Sequence, residues 1–418
     1  MAVRGSGQDA RKVVVTGFGP VTPVATGIEE LWSALLAGRS GIDSIRSFDA
    51  AEMPVKIAGE VKDFRPEDWM TPKEVKRTDR CVHLAIAASK LAWKDAGEPS
   101  VDPARTCVMF STGIGGLSSL LQQHLVLLQK GPDRVSPFMV PMLMPNAAAG
   151  NVAMAFGFTG PNMCITTACA AGSHAVGEAF RLIKYGFADV ALAGGTEAAV
   201  LPLTVAGFAQ MQALTRNPDP AKASRPFDKD RNGFVLSEGA GALVLEDAER
   251  AQGRGARIYA EVAGYGTSAD AHHITAPEPE GLGAIQAIQA ALEEAGEPPD
   301  AVGYINAHGT STQLNDAAET RAIKKALADH AYRTPVSSTK SMTGHMLGAA
   351  GAIEAGIAAL AIARGEIPPT INYETPDEVC DLDYVPNESR NADVRLALSN
   401  AFGFGGHNAV VALRRFEG

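Results

Sequence analysis

The chain has 418 residues, of which 46% are hydrophobic and 20% are charged, which is typical of a globular protein large enough for two subdomains. Its formal net charge of −10 argues against nucleic acid as the main partner, because phosphate binding needs a basic face. The sequence contains no run of about 18 uninterrupted apolar residues, so we predict no membrane span. Five cysteines without a Cys-x-x-Cys pair favour a reducing, cytoplasmic compartment over a disulfide framework.

The predicted elements follow a polar N-terminus, 1–12, which lacks the apolar core of a signal peptide. Residues 12–16 predict a buried strand, and the stretch 17–24, with its glycines and prolines, predicts a loop. The further predicted elements are helices at 29–37 and 82–95 and strands at 106–116, 188–195 and 241–247. Apolar runs without alternation, separated by helices, indicate sheets covered on both faces and therefore an α/β architecture.

One stretch of the chain recurs. LAIAASKLAWKDAGEP (84–99) is echoed by GAIQAIQAALEEAGEP (283–298), which begins 199 residues later. Each copy predicts a helix ended by Ala-Gly-Glu-Pro, because glycine suits a left-handed helix cap and proline prevents continuation. A strand and a glycine-containing turn follow each copy. We therefore expect two related α/β halves, 1–251 and 252–418, with ligands bound where the turns end the strands.

Cys169 carries the strongest chemical signal. It lies in TTACAAGSHAVGEA (166–179), before a predicted helix of small residues, whose positive end and free N–H groups would stabilise a thiolate. A free cysteine is more often a core residue, and we expect Cys164 to be one, within a strand. The small residues after Cys169 leave room for a substrate and leave backbone donors free for an oxyanion.

Two histidines lie in similar segments, His308 in NAHGTST and His345 in KSMTGHMLGAAG. Either alone is more often a hydrogen-bonded core or turn histidine. Glu354 falls in a helix of glycine and alanine, where a charge is costly unless it is paired, and Lys340 is its natural partner. Together with Cys169 these residues suggest thioester chemistry. They lack the close ligand pairs of a structural zinc site, so we predict no metal and no cofactor.

Two glycine-containing segments only partly match binding loops. FGFGGHN (402–408) does not complete the dinucleotide pattern G-x-G-x-x-G, and we interpret it as a flexible loop with an aromatic gate, or as a plain tight turn. DKDRNGFVLSE (228–238) nearly matches a calcium loop, but its twelfth position is Gly239 instead of a bidentate glutamate. We interpret this second segment as a charged turn.

In combination, these motifs resemble those of β-ketoacyl-[acyl-carrier-protein] synthases, the condensing enzymes of type II fatty acid synthesis. The resemblance rests on TTACAAGS, NAHGTST, KSMTGH, FGFGGHN and SRPFDKDRNGFVLSEGAG (224–241), which stand in family order. It implies a thiolase-like fold of two duplicated βαβαβαββ halves with a five-layer αβαβα core, usually a homodimer. It also implies condensation of an enzyme-bound acyl thioester with malonyl-[acyl-carrier protein], giving a 3-oxoacyl product and CO₂, with an acyl carrier protein as partner.

The resemblance implies roles for the residues already singled out. Cys169 is similar to the acylated nucleophile, and His308 and His345 resemble the histidines that bind the malonyl thioester and promote decarboxylation. Lys340 resembles the lysine that orders the site, with Glu354 as its partner.

The resemblance extends to the walls and the mouth of the site. Phe404 resembles the gating phenylalanine, whose backbone N–H would form an oxyanion hole with that of the nucleophile, and Phe402 lies on the same gate. Ile114 resembles a residue of the acyl pocket. An acidic carrier needs a local basic patch. The residues that resemble this patch are Lys73, Lys76 and Arg77.

The chain departs from the family pattern at four places. Gln313 and Ser237 replace a proline and a glycine, and we expect neither to touch the chemistry. Ala170–Ala171 replaces a hydroxyl-bearing pair beside the nucleophile, and Gln212 stands where a docking arginine is usual.

Three alternatives share the same fold. A type II polyketide ketosynthase is compatible with the segment QLND (313–316). A thiolase acting on CoA esters fits less well, because the pattern of two histidines and a lysine suits decarboxylative condensation. A non-catalytic partner subunit that shapes a polyketide tunnel would tend to lack the cysteine, so Cys169 argues against it.

Overall fold

The computed structural model describes residues 10–418, and the N-terminal residues 1–9, where no signal peptide is predicted, lie outside that range. The strands are β1 (Val13–Val21), β2 (Ile42–Ser44), β3 (Ile57–Gly59), β4 (Thr106–Ser111), β5 (Asn162–Met163), β6 (Val190–Glu197), β7 (Gly239–Asp247), β8 (Ala260–Ala269), β9 (Tyr304–Asn306), β10 (Val336–Ser337), β11 (Glu366–Ile367), β12 (Arg390–Asn391), β13 (Leu396–Gly403) and β14 (His407–Arg414). The α-helices are α1 (Ile28–Leu36), α2 (Pro72–Val75), α3 (Arg80–Asp95), α4 (Leu117–Lys130), α5 (Met139–Leu143), α6 (Ala147–Phe156), α7 (Ala171–Lys184), α8 (Pro202–Gln210), α9 (Ala248–Gly253), α10 (Leu282–Ala295), α11 (Gln313–Leu327), α12 (Lys340–Thr343) and α13 (Ala350–Arg364).

The main sheet has ten strands in the order β10-β9-β13-β14-β8-β1-β7-β6-β4-β5. The first five of these come from the second part of the chain and the last five from the first part. Counted inward from either edge, each set has two parallel pairings followed by two antiparallel ones. The two sets join where β1 pairs with β8 in antiparallel fashion. The duplication expected from the repeated helix is therefore present in the sheet.

Helices cover both faces of each set of strands. Helices α7 and α13 pack on each other and on strands of both sets, which makes them the middle layer. Helix α3 covers the outer face of β1, β6 and β7, and α10 covers the outer face of β8 and β14. The predicted five-layer αβαβα core is confirmed. The apolar stretch Leu347–Arg364 could span a membrane by length and composition, but 89% of it is buried inside the protein, as in a core helix.

Glycines in the first strand serve packing, not turning. The loop predicted over 17–24 is wrong in its first part, because β1 extends into it. A Cβ on Gly17 or Gly19 would come within 2.3 Å or 2.0 Å of a carbonyl oxygen of α3, so only glycine lets the helix lie directly on the strand. The second half repeats this arrangement, with α10 lying on Gly264 and Gly266 of β8.

The other predicted elements are confirmed with small shifts of their ends, as α1, α3, β4, β6 and β7. The repeated Ala-Gly-Glu-Pro ends both helices in the same way. Gly97 and Gly296 have φ angles of 77° and 67°. The backbone N–H groups of Glu98 and Glu297 each donate a hydrogen bond, at 3.0 Å, to a carbonyl of the last helical turn. These are the left-handed caps that glycine favours.

Candidate active site

Cys169 lies in a short 3₁₀ turn directly before α7. Ala168 in this turn has a φ of 49°, a left-handed conformation that costs a non-glycine residue about 1–3 kcal/mol and is concentrated at functional sites. Gly403 of β13 packs on the backbone of the turn, where a Cβ would lie 2.7 Å from the carbonyl oxygen of Thr167. The site cysteine is thus held between the start of a helix and the end of a strand from the other half.

The two predicted histidines face Cys169. The Nε2 atom of His345 lies 3.0 Å from Sγ of Cys169, although the residues are 176 positions apart in the chain. The ring centroids of His308 and His345 are 5.3 Å apart at an angle of 83°. One donor atom from each of the three residues lies within 4.8 Å of the others, and all three residues are buried.

Burial sets the protonation states of this cluster. Desolvation lowers the pKa of His308 and of His345 well below 6.5, and the nearby charge of Lys340 lowers both further. Burial also raises the pKa of Cys169 to about 12, although Lys340 and the backbone N–H of Phe404 act in the opposite direction. Burial thus opposes the thiolate stabilisation expected at the helix end. It favours a neutral thiol beside a neutral imidazole.

Lys340 and Glu354 form an ion pair behind the histidines. Lys340 begins α12, Glu354 lies in α13, and both side chains are 1% exposed. The Nζ of Lys340 donates to Oε1 of Glu354, so the pairing expected from the sequence is present. Burial raises the pKa of Glu354, and only the lysine opposes this. The pair places a positive charge near both imidazoles without exposing it to solvent.

The backbone of His345 is fixed by the segment before β7. Its N–H donates to Val235 at 2.7 Å, and its carbonyl accepts from the N–H of Ser237 at 2.9 Å. Ser237, expected to lie away from the chemistry, therefore contacts a site residue. Its Oγ also fills the space beside Gly344, where a Cβ would lie 2.0 Å from that atom. Gln313, the other residue expected to lie away from the chemistry, lines the cavity. Its Nε2 donates to a backbone carbonyl at 2.6 Å.

Glu319 is a site residue that the sequence analysis missed. Its carboxylate accepts from the backbone N–H of His308 at 2.8 Å and of Gly309 at 2.7 Å, and from Asn400 at 3.1 Å. Burial raises the pKa of Glu319 to about 7. The available signal was helical spacing, because the residues three and four positions later are alanine and isoleucine, which places this glutamate on the apolar face of α11.

A cavity of about 350 Å³ opens at Cys169. Residues from both halves of the chain line it. The predicted residues among them are Ile114, Cys169, His308, His345, Phe402 and Phe404. Lys340 and Glu354 lie behind this wall. The predicted docking residues Lys73, Lys76 and Arg77 are exposed on and just after α2, and they do not line the cavity.

The segment 402–408 is the turn of a β-hairpin. Strand β13 ends at Gly403 and β14 begins at His407, so the tight-turn interpretation describes its backbone. Gly405 and Gly406 have φ angles of 86° and 72°, which glycine adopts without steric cost. The backbone N–H of Phe404, next to this turn, acts to lower the pKa of the Cys169 thiol.

One further prediction needs correction. Cys164 is not in a strand, and it packs against the core instead of lying inside it. It follows β5, is only partly buried, and its Sγ lies 3.3 Å from the carbonyl of Pro145. The charged turn predicted at 228–238 is present, and its residues Asp228, Arg231 and Glu238 are buried. Arg231 is 1% exposed and donates to Asp377 at 2.6 Å.

Known proteins share both the sequence and the fold. Residues 10–251 match the family model of the beta-ketoacyl synthase N-terminal domain, and residues 259–374 match that of the C-terminal domain. The chain is 53% identical to 3-oxoacyl-[acyl-carrier-protein] synthase 2 of Synechocystis sp., over 98% of this chain and 99% of that protein. It is 48% identical to the protein of the same name from Coxiella burnetii, over 97% and 99% of the two chains.

A solved structure of a type II PKS acyl-carrier protein in complex with its ketosynthase, bound to the hexaketide, superposes with a TM-score of 0.90. Its sequence is 35% identical, and the match covers 97% of this chain and 100% of that one. The duplicated sheet and the buried cysteine–histidine–histidine cluster define an enzyme of thiolase-like fold that handles acyl groups. The chain belongs to the β-ketoacyl synthase family.

Proposed function

We propose that this enzyme condenses malonyl-[acyl-carrier protein] with an acyl chain held as a thioester on Cys169. The products are 3-oxoacyl-[acyl-carrier protein] and CO₂, in fatty acid elongation. The contact of Cys169 Sγ with His345 Nε2 at 3.0 Å, beside His308, carries the proposal. Relatives named 3-oxoacyl-[acyl-carrier-protein] synthase 2 are 48–53% identical, against 35% for the polyketide ketosynthase structure, which favours fatty acid over polyketide synthesis.

The first step transfers the acyl chain to the enzyme. Sγ of Cys169 attacks the thioester carbonyl while its proton passes to Nε2 of His345. The tetrahedral adduct then collapses, the bond to the carrier sulfur breaks, and the proton leaves with the carrier thiol. The backbone N–H groups of Cys169 and Phe404 both act to lower the pKa of the thiol, and beside the reacting carbonyl they would stabilise the oxyanion of the adduct.

The second step joins two carbons. Loss of CO₂ from the malonyl group leaves an enolate, whose oxygen needs hydrogen-bond donors and not a strong acid. Neutral imidazoles of His308 and His345 supply N–H donors without protonating the carbanion. The carbanion attacks the acyl carbonyl on Cys169, the new C–C bond forms, and the cysteine sulfur leaves as a thiolate. The thiolate takes up one proton from solvent as the product departs, which restores the thiol. Burial, aided by the charge of Lys340, lowers the pKa of both imidazoles and so favours their neutral form. Burial of the cluster also excludes water from the thioester.

Intact-mass spectrometry and CO₂ release test these two steps separately. Cys169→Ala should abolish acyl-enzyme formation and condensation, while the matched variant Cys164→Ala should keep both. His308→Ala should keep acyl transfer and stop CO₂ release from the malonyl donor. Full condensing activity in Cys169→Ala, or normal CO₂ release in His308→Ala, would contradict the proposal.

We propose an acyl carrier protein as the partner, docked at the basic patch of Lys73, Lys76 and Arg77. All three are exposed, and a local positive patch is what an acidic carrier would need on a chain of net charge −10. The related ketosynthase structure in complex with its acyl-carrier protein supports a carrier as partner.

We also propose that the enzyme is a homodimer joined through β5. This strand ends the sheet on one side and has no neighbour beyond it in the described residues. An open edge favours pairing with a second copy. Met163 on β5 is 45% exposed, and Met154 on α6, which contacts β5, is 72% exposed. Light scattering should give twice the chain mass for the native protein, and a shift toward monomer for Met154→Glu.

A cytoplasmic location completes the proposal. All five cysteines are free thiols, which favours a reducing compartment. The one apolar helical stretch of membrane-spanning length belongs to the core of the described protein.

A further inference from the structure

Glu197 is a fully buried glutamate at the end of β6, outside the cluster described above. Its hydrogen-bond partners in the described part of the chain are neutral donors, not lysine or arginine. A buried carboxylate without a counter-ion is costly unless several hydrogen bonds satisfy it. Its presence at this position therefore needs an explanation beyond packing.

Four donors converge on this carboxylate. Oε1 accepts from Oγ1 of Thr112 at 2.8 Å and from the N–H of Ile114 at 3.2 Å. Oε2 accepts from the N–H of Gly113 at 2.8 Å and from the N–H of Gly348 at 3.1 Å. Three of the donors belong to the turn after β4, and the fourth belongs to the turn that precedes α13. The carboxylate thus joins two turns that are far apart in the chain.

Both turns reach the cavity at the site cysteine. Ile114 of the first turn and Leu347 of the second line it, and Leu347 follows His345 by two residues. The turns also touch each other directly, because a Cβ on Gly348 would lie 2.3 Å from the backbone nitrogen of Gly113. Neither turn can shift without pressing on the other or breaking a hydrogen bond to the carboxylate.

We propose that Glu197 is a positioning residue that ties the acyl-pocket wall at Ile114 to the segment carrying His345 and thereby sets acyl chain-length selectivity. A long acyl chain on the nucleophile would press on Ile114, and the four hydrogen bonds of Glu197 would resist that movement. Burial raises the pKa of Glu197, and hydrogen bonds from its four donors oppose that rise. Because the cavity's ligand is taken to be an acyl chain, this inference rests on the proposed function.

Glu197→Gln tests this positioning role with an isosteric side chain. In either orientation its amide NH₂ faces at least one backbone N–H from which it cannot accept, so at least one hydrogen bond is lost. The measurement is kcat/KM for a short and a long acyl-carrier donor competing in one reaction. We expect the long-to-short ratio to change by about tenfold, as a buried N–H left without an acceptor would allow. Glu246→Gln is the matched control, because Glu246 is also fully buried but pairs with Arg254 away from the cavity.

Each outcome has one meaning. A wild-type enzyme that condenses neither donor contradicts the proposed function itself. A condensing wild type with an unchanged ratio in Glu197→Gln overturns the positioning role alone, and so does an equal change in Glu246→Gln. If Glu197→Gln does not fold, as judged by circular dichroism, Thr112→Val replaces it. This variant removes a single donor, so it should change the ratio in a folded protein by about threefold, and an unchanged ratio would overturn the inference.

Discussion

The buried pair of Lys340 and Glu354 makes a quantitative prediction. Lys340→Met keeps the apolar stem but leaves Glu354 as an uncompensated carboxylate at a position where both side chains are 1% exposed. Removing one partner of such a pair costs about 3–5 kcal/mol of unfolding free energy. The double variant Lys340→Met/Glu354→Gln removes both charges and should recover most of that loss, because no unpaired charge stays buried.

The loss should also depend on pH. Burial raises the pKa of Glu354 above 4.5, and only Lys340 opposes this, so the variant should raise it further. A folded protein that holds a proton more tightly than the unfolded chain is most stable below the unfolded pKa. Relative to wild type, Lys340→Met should therefore be least destabilised below pH 4.5. It should lose stability as the pH rises through the folded-state pKa.

Urea unfolding at one pH below 4.5 and one well above it measures both effects, provided that fluorescence and circular dichroism give coincident transitions. Lys324→Met is the matched control, because Lys324 pairs with Asp381 at a site where the side chains are 32% and 39% exposed. That variant should cost about 0–1 kcal/mol. A comparably small loss in Lys340→Met, or a loss independent of pH, would refute the reasoning.

Three further predictions concern the site and its surface. Gly403→Val should reduce acyl transfer by at least about tenfold, since its Cβ would clash with the nucleophile turn and overpacking costs about 1–3 kcal/mol, whereas Gly150→Ala, in open space, should not. Lys76→Glu should raise KM for a carrier-bound substrate but not for a small thioester, and equal effects on both would exclude docking there. Because burial lowers the pKa of His308 and His345, the condensation rate should persist as the pH falls through 6.5. A loss centred on 6.5 would contradict neutral buried imidazoles.

Much of the fold could be predicted because its signals are local. Unbroken apolar runs indicated covered strands, and the repeated Ala-Gly-Glu-Pro ended two helices with glycines in the left-handed conformation, as Gly97 and Gly296 show. The loop predicted over 17–24 was wrong for a physical reason. A glycine favours a turn and also permits close packing, and at Gly17 and Gly19 the outcome depends on α3 lying on the strand.

The sequence by itself determined which side chains could carry the chemistry. Cys169, His308 and His345 stand in small-residue segments. Each family motif that contains one of them is a continuous stretch of sequence. The tertiary structure decided their protonation, because desolvation depends on everything packed around a group. Burial raises the pKa of Cys169, which opposes a thiolate, and lowers the pKa of both imidazoles, which favours their neutral form.

The tertiary structure was needed to show which groups bind the two buried glutamates beside the site. Glu319 is bound by N–H groups ten and eleven positions away in the chain, and Glu197 by N–H groups 84 and 151 positions away. A carboxylate satisfied by backbone N–H groups leaves no trace in residue types, because every residue except proline has that donor. The sequence therefore identified the candidate reacting groups, while the fold decided which backbone groups each carboxylate binds.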